Sequence, residues 1–167
     1  SVLESGRINL NVTRGQLSEL LDHAVATALT GTGGLDSLDV RRRRMSEDVA
    51  LVTDVERLSQ VFINLIANAQ KYCDADDPAL TIEVSQAEGG LNIDFIDNGS
   101  GISAEGQAVI FENFGRVGAQ KAKGAVLGLA ICREIMARLG GSIQYLPGQG
   151  GAAFRVTLPQ KNAMAAQ

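Results

Sequence analysis

Apolar positions recur at helical spacing early in the chain. Leu17, Leu20, Leu21, Ala24, Val25 and Ala28 fall on one face of a helix. Thr13 and Gln16 fit a capping box ahead of it, and Gly31 can end it in a left-handed turn. His23 falls off the apolar stripe and reads as a surface histidine. Residues 38–45 and 49–53 read as short strands. Thr53 and Glu56 fit a second capping box before a helix at 54–72, whose core stripe is Leu58, Phe62, Leu65 and Ala69. Residues 80–86 alternate as a half-buried strand does. Gly89-Gly90 makes a hairpin turn into a strand at 91–97. A short helical piece follows near 105–114, then a helix at 127–139 that Gly140-Gly141 stops. Strands SIQYL and AAFRVTL, joined by PGQGG, close the domain. Helices mixed with hairpins predict an α+β fold with a mostly antiparallel sheet.

Composition narrows the class. The chain has 167 residues, 45% hydrophobic and 20% charged. That suits one domain with an ordinary core. The formal charge is −4 and there is no Trp, which argues against a nucleic-acid partner. No run of apolar residues approaches the ~18 of a membrane span, so no membrane contact is expected of this domain. Cys73 and Cys132 lack CxxC spacing and suggest a reducing compartment. His23 is the only histidine, so a multi-histidine metal site is excluded. The run Arg41–Arg44 could bind phosphate. The favoured reading is a solvated edge strand whose charges block edge-to-edge pairing, offset by Asp36, Asp39, Glu47 and Asp48.

Three places carry candidate chemistry. Asn64, Asn68 and Lys71 lie within about 60° of one another on the second helix, about 120° from its core stripe. Two mid-helix asparagines are poor helix formers. Asn oxygens can ligate Mg²⁺, and Lys can meet a phosphate. Asp97-Asn98-Gly99-Ser100-Gly101-Ile102 follows an apolar strand. It aims a carboxylate into a cleft beside glycines that let the backbone approach a ligand. Asp-Asn-Gly is also ordinary turn chemistry. Gly124–Ile131 enters a helix, where free N–H groups and the dipole favour phosphate, or where a glycine loop merely packs.

Taken in order, these motifs resemble the ATP-binding catalytic domain of sensor histidine kinases, part of the wider fold shared with gyrase, Hsp90 and MutL. RLSQVFINLIANAQKY resembles the asparagine box, DNGSGI the first glycine box and IFENFGR the phenylalanine box. GAVLGLAICREIMARLGGSI resembles the second glycine box, and GQGGAAFRVTLP the last glycine motif and terminal strand. The resemblance runs from about residue 10 to 159. It implies a two-layer α/β sandwich, the Bergerat ATP-binding fold, with helices on one face of a mixed, mostly antiparallel sheet. It divides the chain into 1–9 (the end of a preceding dimerisation helix), 10–160 (the catalytic domain) and 161–167 (a tail).

The resemblance implies ATP and Mg²⁺ as cofactors. Asn68 resembles the Mg²⁺ ligand, with Asn64 one turn earlier on the same face. Lys71 and Tyr72 resemble residues touching the phosphates and the ribose. Asp97 resembles the adenine-reading carboxylate, with Gly99, Gly101 and Ile102 beside the base. Arg116 resembles the basic residue that reaches the terminal phosphate. Gly124, Leu127, Gly128 and Leu129 belong to the second glycine box. Residues 115–126 resemble the lid, where Lys121 and Lys123 could add phosphate contacts or be solvated. Asn64 stands where hydrolytic relatives place a glutamate base. A carboxamide takes no proton at neutral pH, which suits a kinase. The implied partners are a histidine-bearing dimerisation domain and a response regulator, and the implied setting is cytoplasmic.

Two features depart from the family pattern. Val126 replaces the middle glycine of the second glycine box, and the lid is short. A β-branched residue is badly placed where φ must be positive. This keeps open a degenerate nucleotide-sensing or partner-docking module. A serine kinase of the anti-sigma type and a hydrolytic ATPase fit less well. His23 is followed by neither the acidic residue nor the proline of a phosphoacceptor segment, so the chain is expected to bind ATP without phosphorylating itself.

Overall fold

The computed structural model describes residues 9–30, 37–112, 129–159 and 163–165. Among them, α1 (Leu17–Leu29) buries the expected stripe, with Val25 only partly covered. Its start differs from the capping-box expectation. Thr13–Gln16 is a strand, β1, and Gln16 caps the helix without a side-chain bond. Pairing with β3 (Val49–Thr53) takes up this stretch instead, in register from Thr13 opposite Thr53 to Gln16 opposite Ala50. Gly31 lies outside the described residues.

The second helix, α2 (Val55–Tyr72), begins one residue later than the second capping box implies. Asp54 is its cap, and one oxygen accepts the Arg57 N–H at 3.1 Å. Thr53 is instead the last residue of β3, and its buried hydroxyl has no partner among the described residues. The other Asp54 oxygen accepts the Asn11 N–H at 2.8 Å, tying the chain entering β1 to the head of α2. Leu58, Phe62, Leu65 and Ala69 are buried as the spacing predicts.

The main sheet has five strands in the order β2 (Asp39–Arg42), β4 (Ala79–Ala87), β5 (Gly90–Asp97), β7 (Ala153–Pro159), β6 (Ser142–Tyr145). Only the β2–β4 pair is parallel. Opposed residues share a face, so one row runs Ile82, Phe95, Phe154, Tyr145 across four strands. This inner face carries the core with α1, α2 and α4 (Leu129–Arg138). Phe62 of α2 meets Phe95 with ring centroids 5.6 Å apart. The outer face is polar: Arg155 grips Asp94 through bonds of 2.8 and 2.9 Å, and Thr157 bonds Asn92. The result is the expected α+β sandwich with helices on one face of a mixed sheet.

A second sheet was not anticipated. It runs β1-β3-β8, and β8 (Ala163–Ala165) draws on residues read as tail. The short helical piece is α3 (Ala104–Val109), capped by Ser103, which accepts the Gly106 N–H. The arginine run also divides. β2 stops at Arg42, and Arg44–Glu47 is a 3₁₀ turn. Arg42 points to the inner face, where Glu47 and Asp22 hold it. Arg41 stays in solvent, as expected of an edge strand.

Candidate functional site

The inner face of the sheet ends in a charge. Leu91, Ile93, Phe95 and Asp97 alternate along one side of β5. The three apolar side chains are buried and Asp97, the last residue, is half-exposed. Asn68 and Tyr72, one turn apart on α2, line the same cavity as the carboxylate. The cavity between them is about 120 Å³, and its lining includes Asn68, Tyr72, Asp97, Gly99, Gly101 and Ile102. A single water needs only about 10–15 Å³, so the space suits a flat ring system.

Asp97 is fixed from two sides. Its Oδ1 accepts the Gly99 and Ala152 N–H groups, each at 2.9 Å. Its Oδ2 accepts no hydrogen bond among the described residues. Two carboxylates line the cavity, and both oxygens of Asp74 are engaged by Ser100, so Asp97 Oδ2 is the one carboxylate oxygen there without a partner among the described residues. Gly151 makes the arrangement possible. A Cβ there would stand 2.0 Å from the Asp97 carbonyl oxygen and 2.7 Å from Oδ1, far inside any real contact.

The loop after β5 forms the cavity's rim. Gly101 has φ +85°, a conformation that favours glycine. Asp74, just past the end of α2, accepts both the Ser100 N–H, at 2.8 Å, and the Ser100 hydroxyl. These bonds hold the Asp74 carboxyl below its usual value of 3.8. Asn98 braces the same region: its Oδ1 accepts the Ala79 N–H at 2.9 Å, and its Nδ2 donates to the Asp77 carbonyl at 2.9 Å. Ile102 donates its N–H to Tyr145 Oη at 3.1 Å.

The remaining expected residues fall into three groups. Asn64 is half-buried one turn before Asn68 and does not line the cavity. Its Nδ2 donates to Cys132 Sγ of α4 at 3.5 Å, and burial pushes that thiol up to about 11. Lys71 is exposed beside the Tyr72 ring, 5.4 Å from its centroid. Leu129 is fully buried, so its side chain serves the core. Arg116, Gly124, Leu127 and Gly128 lie outside the described residues, as do Val126, Lys121 and Lys123. Of the phenylalanine box, Phe111 is described and packs edge-on against Phe154, with centroids 6.3 Å apart. Asp74 and Tyr145 were not singled out from the sequence, and Ser100 entered only as a member of the DNGSGI motif with no role of its own. Their bonds span 26 to 43 positions, and no local pattern encodes such partners.

No metal-ligating cluster of three or more His, Cys, Asp or Glu residues occurs among the described residues. No described helix is long and apolar enough to cross a membrane.

Residues 53–162 match the family described as histidine kinase-, DNA gyrase B-, and HSP90-like ATPase. The sensor protein KdpD of Escherichia coli K12 is 34% identical over 164 residues, 96% of this chain. The chain spans only 18% of KdpD's own length. The catalytic domain of histidine kinase ThkA superposes with TM-score 0.72 at 25% identity, covering 89% of this chain and 95% of that one. The ATP-binding domain of PrrB from Mycobacterium tuberculosis gives TM-score 0.68 at 27% identity, covering 89% and 97%. With a family match over more than half its length and these relatives, the chain belongs to the histidine kinase-, DNA gyrase B- and HSP90-like ATPases, on their sensor histidine kinase branch.

Proposed function

We propose that this chain is the ATP-binding catalytic domain of a two-component sensor histidine kinase. In the whole protein it transfers the γ-phosphoryl group of Mg-ATP to a histidine on a separate dimerisation domain, and a response regulator receives the group next. The observation that carries this reading is the Asp97 carboxylate. It ends β5 at the lining of a cavity of ring size, with one oxygen held by two backbone N–H groups and the other without a partner among the described residues. Such an acceptor selects an exocyclic amine, as adenine has.

The other roles follow from position. Tyr72 and Ile102 give the base apolar contact. Asn68, one turn before Tyr72, offers a hard carboxamide oxygen of the kind Mg²⁺ takes alongside phosphate oxygens and water. A bound Mg²⁺ supplies charge neutralisation for the triphosphate. Lys71 and Arg116 add positive charge toward the same phosphates. Gly124, Leu127, Gly128 and Leu129 offer backbone N–H groups at the entrance of α4. Asn64 takes no proton from water, so ATP persists until an acceptor arrives. PrrB's solved domain is described as ATP-binding, which supports the same ligand here.

Calorimetric titration with ADP and ATP, with and without Mg²⁺, tests the reading. Mg²⁺-dependent ATP binding is expected. Asp97→Asn is expected to weaken ADP by about 10- to 100-fold, the worth of a hydrogen bond to a charged group. Absence of binding at millimolar nucleotide would favour a partner-docking module, whereas binding without phosphotransfer would favour a nucleotide-sensing one. Val126 in the second glycine box motivates both alternatives. Phosphotransfer in trans to a purified dimerisation domain separates the kinase from either.

A further inference from the structure

The loop from Gly99 to Ile102 lines the cavity and makes no backbone–backbone hydrogen bond among the described residues. Side chains take three of its N–H groups instead. Asp97 takes that of Gly99, Asp74 that of Ser100 and Tyr145 that of Ile102. Tyr145 differs from the other two. It comes from β6, the far edge of the main sheet, and does not itself line the cavity.

Its ring and its hydroxyl have separate tasks. The ring packs edge-on against Phe154, with centroids 5.4 Å apart, and Phe154 lines the cavity. That contact is worth the same with a phenyl ring. The hydroxyl reaches past Phe154 to the loop, accepting the Ile102 N–H at 3.1 Å. The loop lies close over it: a Cβ on Gly101 would stand 3.4 Å from the phenol oxygen. The Ile102 carbonyl is held as well, by Gln107 Nε2 at 2.8 Å. The wall formed by Gly101 and Ile102 is therefore clamped between a strand and a helix.

We infer that Tyr145 is a positioning residue for the base-binding half of the site. Its hydroxyl holds the Gly101–Ile102 wall in the shape the base requires, so binding does not have to order that wall. Preorganisation of this kind raises affinity without a contact to the ligand. The inference rests on the nucleotide reading of the cavity. It assigns the effect to the base and not to the phosphates, because the Tyr145 hydroxyl holds the loop just beyond Asp97.

The test is Tyr145→Phe, which removes one oxygen and keeps the ring. The unaltered chain and the variant are titrated with ADP and with adenosine, which has no phosphates. Their thermal midpoints and the hydrogen exchange of the Ile102 amide are compared. The variant should bind both ligands about three- to tenfold more weakly, the range of one neutral hydrogen bond. Its midpoint should stay within about 2 °C, and Ile102 should exchange faster. Equal affinity in variant and unaltered chain would overturn the inference. So would weaker binding accompanied by a large fall in midpoint, which would mark Tyr145 as a residue of general stability. If the unaltered chain bound neither ligand, the nucleotide reading itself would fall, and this inference with it.

Discussion

A carboxylate at the end of a strand can do two jobs at once because it has two oxygens. Asp97 uses Oδ1 to close the turn onto Gly99 and to anchor Ala152, so Oδ2 is aimed by backbone geometry and not by its own rotamer freedom. The two cysteines show the same dependence of chemistry on place. Cys73 is half-exposed and lines the cavity, while Cys132 is buried on α4 beside Asn64. With its thiol pushed up to about 11, Cys132 is almost entirely protonated at neutral pH and out of reach of solvent. The thiolate is the reactive form. A thiol reagent at pH 7.5 should therefore label Cys73 rapidly in the native chain and Cys132 only after unfolding. ADP should slow the labelling of Cys73, because a base in the cavity covers it. Mass spectrometry of the labelled peptides reads both outcomes. Equal native labelling of the two, or no protection by ADP, would contradict the placement.

Helix α2 carries Asn64, Asn68, Lys71 and Tyr72, so its start sets the phase of the site. The sequence placed a capping box on Thr53 and Glu56, and the structure puts the cap on Asp54. A strand end decided the matter: Thr53 is held by β3, opposite Thr13, and its hydroxyl is buried without a described partner. Asp54→Ala should lower stability by about 1–2 kcal/mol, losing the cap and the Asn11 anchor. Thr53→Val should be neutral or stabilising, since it removes a buried hydroxyl that has no bond to lose. Urea unfolding of both variants discriminates the two assignments. The apolar stripe of α2 was legible because helical periodicity is local, and so was the alternation that puts Asp97 in line with Leu91, Ile93 and Phe95. The second sheet was not, because β1 and β3 are joined by a pairing that crosses α1. Asp74 and Tyr145 escaped for the same reason: each recognises a backbone N–H far along the chain, and any acid or phenol in a strand or turn looks alike in sequence.

At the scale of the whole molecule, the arginine run explains how α1, β2 and the 3₁₀ turn are locked together. Period-two alternation turns Arg41 to solvent and Arg42 inward. Arg42 donates to both oxygens of the fully buried Glu47, at 2.6 and 3.1 Å, to Asp22 at 2.7 Å and to the Ser18 carbonyl at 3.2 Å. Breaking a buried pair leaves a charge without a partner, at about 3–5 kcal/mol. That is a large part of the 5–15 kcal/mol typical of a domain. Glu47→Ala should therefore unfold the chain or lower its urea midpoint severely, while Arg41→Ala, an exposed partner of Asp39, should shift stability by less than about 0.5 kcal/mol. The network also sets a pH window. The Arg42 hydrogen bond holds the Asp22 carboxyl below its usual 3.8, and Ser100 does the same for Asp74. A folded value below the unfolded one adds stability that is fully present above about pH 4 and is lost as pH falls through the folded values. Urea midpoints should accordingly hold between pH 7 and 5 on these groups' account and fall by pH 3. Asp22→Asn should flatten that acid limb, because an amide has no proton to gain; an unchanged limb would show that Asp22 does not contribute to it.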